Sequence, residues 1–263
     1  MYFLGYVGSW ARGFFEDLID ISLMSGLLIQ STIINGFKAT QLTTRTVIRQ
    51  FRFTTLDALH LIFFIGVFFG FVIISQFYKI LGELLSEDIF ARIIIVVALR
   101  EIGPLLTVLL LIGRSVSAVT VELGNLRINR QMDLLEASGF DLMHFLVLPR
   151  IIALTISCLI LTFIFNFSSL IGGVVFAKMS GLLPLTYRLD FILGYINNRD
   201  IFVFFVKPIV FGILISLCAC FFGIKRVKNI NFIPKAATWA IVYSTLFCFI
   251  FNFILMLIIP VEF

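Results

Sequence analysis

The sequence predicts an all-α integral membrane protein with five transmembrane helices and an N-terminal helix in the membrane interface. Three observations predict it. Of 263 residues, 60% are hydrophobic and only 13% charged, and the mean hydropathy is +1.11. A soluble chain of this length needs far more polar residues to cover its surface. The apolar residues gather into five runs, each long enough to cross a hydrocarbon core of about 30 Å as a helix. Cations also cluster in alternate connecting segments.

Residues 1–54 are expected to form an interfacial or elbow helix on the cytoplasmic side, followed by a transmembrane domain over 55–263. The segment 17–37 has only a short apolar stretch between Asp20 and Asn35, which suits a helix lying in the interface better than a sixth span. Spans are expected at about 56–82, 89–124, 146–177, 203–224 and 237–259. The second run is roughly 50 Å long at ~1.5 Å per residue, so it must tilt, kink near Pro104 or project beyond the membrane. The polar segment after it could form a short helix with Met132, Leu135 and Glu136 at helical spacing, although composition alone favours a connecting loop. The segment 179–202 mixes Tyr187, Phe191, Ile192 and Tyr195 with Arg188, Asp190 and Arg199. It reads as an interfacial helix on the far side, with a plain loop as the alternative.

Orientation follows from the cations. Arg12, Lys38, Arg45, Arg49, Arg52, Arg127, Arg130, Arg150, Lys225, Arg226, Lys228 and Lys235 fall on one side of a five-span chain, and Lys79, Arg92, Lys178, Arg188 and Arg199 on the other. The richer side is cytoplasmic and carries the N terminus. The net charge of +5 is therefore explained by topology, and nucleic-acid binding is not expected. The opening residues, broken by Arg12, Glu16, Asp17 and Asp20, lack the form of a cleavable signal peptide.

Cys158, Cys218, Cys220 and Cys248 all lie in apolar runs and are expected to be buried, reduced thiols. No metal site and no cofactor is expected, because Cys218-x-Cys220 has neither His60 nor His144 near it. The chain has no phosphate-binding G-x-x-x-x-G-K-[ST] loop and no hydrolase or zinc-protease motif. It is read as a transport subunit and not an enzyme.

The second run carries Arg100, Glu101, Arg114 and Glu122, and charges within a membrane seldom face lipid. Arg114 and Glu122 are taken as intramembrane structural charges. Arg100, Thr107 and Arg114 share one helical stripe on a 3.6-residue period. Gly113, Ser117, Thr120 and Gly124 share another, which reads as close helix packing, with a dimer seam as one special case. Adjacent residues on a helix point about 100° apart, so Arg100 and Glu101 are each expected to find a better partner elsewhere. The other charge deep in an apolar run is Lys207, and Asn252 is a polar candidate on the last span. Glu101 is expected to pair with Lys207, with Arg100 and Asn252 nearby, around a polar-lined substrate path.

In this order the residues resemble the MlaE (YrbE) permease family, membrane subunits of ABC-type lipid transporters that work with MCE-domain proteins. The likeness is carried by "LREIGPLLTVLLLIGRSVSAVTVELG" and "RQMDLLEASGFDLMHFLVLPR". Arg100, Glu101, Gly103, Pro104, Gly113, Arg114, Ser117, Ala118, Glu122, Gly124, Gln131, Leu135, Asp141, Pro149 and Arg150 meet the family's pattern in order and spacing. Arg130, Val116 and Leu142 depart from it, and Asn252 stands where some members carry Asp.

The resemblance implies an MlaE-like permease fold and a homodimer in the inner membrane of a Gram-negative-type bacterium. A cytoplasmic ABC ATPase would bind a coupling helix at about 127–140, through Gln131, Leu135, Glu136 and Asp141. A periplasmic MCE-domain protein would sit on the outer face, and a small STAS-domain cytoplasmic protein is a further partner. The implied activity moves phospholipid to or from that carrier and maintains outer-membrane lipid asymmetry, with Arg100, Glu101, Lys207 and Asn252 at the cavity. The alternatives are a permease for a sterol-like substrate and a lipid-modifying membrane enzyme.

Overall fold

Apolar side chains satisfy a bilayer only if the backbone bonds to itself, and the long runs therefore close into helices. A computed structural model describes residues 13, 16–28, 30–31, 41–81, 92–93, 95–179 and 197–259. Helix α1 covers 16–28 and α2 Gln41–Leu81. Helix α3 covers Ile95–Ile128, the short α4 Gln131–Ala137 and α5 Leu148–Met179. Helix α6 covers Asn198–Lys225 and α7 Ile233–Ile258.

Five segments are long and apolar enough to cross a membrane, Thr44–Gln76, Ile95–Ile128, Met143–Val175, Asn198–Lys225 and Ile230–Ile258. The expected all-α, five-span architecture is thus present among the described residues. Helix α1 is not one of these spans. It buries Asp17, Ile21, Met24 and Leu28 and exposes Leu18, Ile19, Leu23 and Leu27, a two-faced helix of the kind that lies along an interface. Asp17 takes hydrogen bonds from Arg226 and Tyr243, and Asp20 sits 3.6 Å from Lys225, so α1 is tied to the junction of α6 and α7. The part of the expected N-terminal segment beyond residue 31, and the far-side segment over 180–196, lie outside the described residues.

Helices α2 and α5 form the most extensive pair, with α5 also against α6, and α3 packed on α6, α7 and α5. The common core includes Val108, Leu111 and Val116 of α3, Leu161 of α5, and Phe211 and Ile215 of α6. All four cysteines are buried and free, as expected. The α2–α5 contact depends on Gly70, where a β-carbon would overlap the backbone carbonyl of Ser169. Small residues that let two backbones touch are the main adhesive of helices in lipid, where the hydrophobic effect is absent.

The long helix α3 is not uniformly α-helical. Ile95–Ile102 and Ile112–Val116 are π-turned, and regular helix resumes at Gly103–Leu111 with Pro104 in its first turn. A proline there lacks only an N–H that the first turn leaves unused, so the expected disturbance near Pro104 takes the form of a π-turned stretch before it. The segment after α3, which composition reads as a loop, holds α4. Its end is a Schellman motif: Gly139, at φ 81°, donates to Glu136 O at 2.9 Å and Phe140 to Leu135 O at 3.1 Å.

Gly70→Leu is expected to drive α2 from α5 and lower the thermal midpoint, because overpacking costs about 1–3 kcal/mol. Gly26→Ala, with open space around it, should leave the midpoint unchanged or slightly raised. A thermal melt of the detergent-solubilised chain checks both.

Candidate functional site

The polar and small residues of α3 sort into three settings, and the π-turns help decide which is which. A π-turn carries one residue more than an α-turn, so it rotates everything beyond it. Arg100, Thr107 and Arg114 consequently meet different neighbours and do not form the single stripe expected. Arg100 turns toward α6, and Thr107 is buried and donates to Gly103 O at 2.8 Å. Arg114 reaches α2, where it pairs with Asp57 at 2.9 Å and lies over the Phe53 ring.

The first setting is a buried polar network near the start of α6. Lys207 is 1% exposed, and its ammonium donates to Glu101 Oε2 at 2.6 Å and to the Arg100 carbonyl at 3.1 Å. Asn252 Nδ2, from α7, stands 3.4 Å from the same Glu101 oxygen. The geometry therefore brings Arg100, Glu101, Lys207 and Asn252 together as expected, and joins α3, α6 and α7.

As expected, Arg100 and Glu101 each hydrogen-bond elsewhere, Glu101 with Lys207 and Arg100 with the Ile259 carbonyl, although Arg100 Nε also stands 3.5 Å from Glu101 Oε1. Both lie in the π-turned stretch, where successive side chains diverge less than the 100° of an α-helix. Arg100 also faces Asp200 at 3.6 Å and donates to the Ile259 carbonyl.

Asp200, Arg92 and Asn166 are the members that sequence reasoning missed. Asp200 is buried, pairs with Arg92, and forms a capping box with Asn197 at the start of α6. The spacing Asn197-x-x-Asp200 ahead of an apolar run is the signal that could have found it. Asn166 donates to Leu99 O at 3.1 Å and lies over Gly103, where a β-carbon would overlap its side-chain oxygen. No short-range pattern marks that contact.

The second setting is at the opposite end of the bundle. Glu122 accepts from Arg150 at 3.0 Å and from Gln50 at 2.8 Å, so α2, α3 and α5 meet at one carboxylate. Arg150 is 2% exposed and also donates to Leu146 O at 2.6 Å. Beside this junction, α4 borders a groove of about 390 Å³ lined by Arg49, Glu122, Gln131, Leu134 and Leu135 among others. Met132 is buried under α4 and Leu134 is exposed on it. Glu136 is on the helix's last turn, and Asp141 accepts from Ser31 and from the Met143 amide at 2.9 Å, capping the start of the next span.

The third setting is the expected small-residue stripe, which splits. Thr120 is buried and donates to Ala219 O at 3.2 Å, and a β-carbon at Gly124 would meet Val227 at 3.1 Å. Both pack within the chain itself. Gly113 has nothing within 4 Å, and the partly exposed Ser117 bonds back to Gly113 O at 2.8 Å. Among the described residues there is no group of three or more His, Cys, Asp or Glu side chains able to hold a metal.

Residues 47–258 match the profile of the family described as Permease MlaE. A "probable ABC transporter permease protein" of Rickettsia prowazekii is 28% identical over 259 residues, covering 95% of this chain and 94% of the relative. The "intermembrane phospholipid transport system permease protein MlaE" of Haemophilus influenzae is 27% identical over 210 residues, 80% of each chain. A chloroplastic protein of Arabidopsis thaliana, "trigalactosyldiacylglycerol 1", is 27% identical over 214 residues, 80% of this chain and 60% of the relative. With a five-span helical fold and a profile match over most of its length, the chain belongs to the MlaE permease family.

Proposed function

We propose that this protein is the phospholipid permease of an ABC transporter and acts as a homodimer in a bacterial inner membrane, with its N terminus cytoplasmic. The observation that carries the reading is the Lys207–Glu101 pair, buried in the middle of apolar helices at 2.6 Å. Ionisable groups at such depth are costly and are kept where they serve a path or a switch. The printed function of the Haemophilus influenzae relative supports phospholipid as the cargo.

In this reading Arg100, Glu101, Lys207 and Asn252 border the lipid path at the dimer cavity. Lys207 and Arg100 offer cationic donors suited to a phosphate, and Glu101 with Asn252 holds Lys207 in place. Because Glu101 is 19% exposed while Lys207 is 1% exposed, an arriving headgroup meets the carboxylate side of the pair first. A phosphate that takes Lys207 from Glu101 leaves that carboxylate to Asn252 and Arg100, which stand 3.4 and 3.5 Å from it. Gly113 and the partly exposed Ser117 are available to the seam between protomers, where small residues allow close approach.

A separate cytoplasmic ATPase chain docks at α4 and its groove, using Gln131, Leu135 and Glu136, with Asp141 fixing the joint between α4 and α5. Glu122 and Arg150 tie that surface to α2, α3 and α5, so movement at α4 is passed to three spans. A periplasmic MCE-domain carrier receives or supplies lipid at the opposite end, a STAS-domain protein accompanies the ATPase, and the cycle maintains outer-membrane lipid asymmetry.

Two outcomes are expected. Lys207→Leu alone should destabilise the chain by about 3–5 kcal/mol, since it strands a buried carboxylate. The double variant Glu101→Leu with Lys207→Leu should fold close to normally and yet transport no phospholipid in reconstituted vesicles. Full transport by that double variant would sink the assignment of the path. Leu134→Arg on the exposed face of α4 should cost ATPase co-purification while leaving the thermal midpoint within a few degrees, because exposed substitutions seldom exceed about 0.5 kcal/mol. Mass spectrometry of co-purified lipid separates phospholipid from a sterol-like cargo.

A further inference from the structure

Helix α1 is tied at its two ends to different parts of the bundle. At its start Asp17 accepts from Arg226 and, at 3.1 Å, from the hydroxyl of the buried Tyr243, while Asp20 lies 3.6 Å from Lys225. Lys225 and Arg226 close α6, and Tyr243 lies about three turns into α7. Beyond the other end of α1, Ser31 donates to Asp141. The second oxygen of that carboxylate accepts from the Met143 amide at 2.9 Å and caps the following span.

Between these ties α1 runs from 16 to 28, about 20 Å at ~1.5 Å per residue. Ile21, Met24 and Leu28 follow Asp17 on one face and join the core cluster that also holds Met132 of α4. The opposite face, with Leu18, Ile19, Leu23 and Leu27, is exposed and apolar, which keeps the helix in the membrane interface. The lipid path and the α4 groove use neither Asp17 nor Ser31.

α4 packs chiefly on α3, so a displacement of α4 acts first on α3. The polar network, however, spans three helices, with Glu101 on α3, Lys207 on α6 and Asn252 on α7. Moving α3 alone parts the 2.6 Å contact of Glu101 with Lys207. A link from the α4–α5 joint to the α6–α7 junction lets the two sides of the network move together. Rigid helices joined by hydrogen bonds and ion pairs are the elements that carry displacement between distant sites, and α1 joins these two places.

We propose that α1 is a coupling strap, which passes displacement of the α4–α5 joint to the helices that carry Lys207 and Asn252. Ser31 and Asp17 are its two fastenings. The inference rests on the reading of α4 as the ATPase dock.

The test cuts each fastening in turn. The full chain with its co-purified ATPase is reconstituted in phospholipid vesicles, and the phospholipid moved per ATP hydrolysed is measured for wild type, Ser31→Ala, Asp17→Asn and the double variant. Each single variant should lower that ratio about tenfold, the change that a coupling loss of about 1.4 kcal/mol produces. The double variant should fall no further, because both changes cut one link. ATPase co-purification and the KM for ATP should stay at the wild-type values. Ser22→Ala, which removes only a bond within α1 to Ile19 O at 2.7 Å, should leave the ratio unchanged. A wild-type ratio in both single variants overturns the strap, and so does a loss that appears only together with loss of the ATPase. Asp17→Asn strands no buried charge, since Arg226 is half-exposed; if it nonetheless fails to fold, Ser31→Ala decides alone. Hydrogen exchange at residues 226–232 gives a readout independent of the cargo. It should respond to ATP in the wild-type complex and not in Ser31→Ala, and an equal response in both overturns the strap. A wild-type chain that binds no ATPase through α4 sinks the docking reading instead.

Discussion

A charge in hydrocarbon must have a partner, and much of this bundle is arranged around that constraint. Lys207 is the node. It donates to two acceptors, Glu101 Oε2 and the Arg100 carbonyl. Asn252 brings in α7, and Asp200 brings the first turn of α6 onto Arg100 and Arg92. Removing Glu101 leaves Lys207 without its counter-ion at a depth where solvent does not repair the loss.

The same long helix carries a second polar junction at its other end, where Glu122 gathers Arg150 and Gln50. Between the two lie apolar residues of the common core, Val108, Leu111, Val116 and Val119. A helix fixed at both ends by charge and in the middle by packing transmits displacement as a rigid element, since close-packed interiors deform little. The π-turns at Ile95–Ile102 and Ile112–Val116 are the two places where its register departs from the regular helix. They decide which side chains face the network, which face α2, and which face outward.

The sequence by itself determined the class and the course of the chain. Apolar run length depends only on local composition, so five spans were legible, as was an N-terminal helix apart from them. The pairing of Glu101 with Lys207 was legible too, because an apolar run offers a buried charge few candidates. The end of α4 was written in Gly139, a stop signal that composition obscured.

What only the tertiary structure decided depends on register and on contacts distant in sequence. The π-turns came from no propensity visible in the run, and they brought Arg100 close to Glu101 and broke the Arg100, Thr107, Arg114 stripe. The stripe from Gly113 to Gly124 split because only its later half is met by α6 and the start of α7. Asp200 and Asn166 joined the network across 100 and 63 residues of chain counted from Arg100 and Gly103. Periodicity reports which residues share a face of one helix. It does not report which helix lies against that face, and in a bilayer, where most exposed residues are apolar as well, hydrophobicity cannot separate a lipid-facing surface from a packed one.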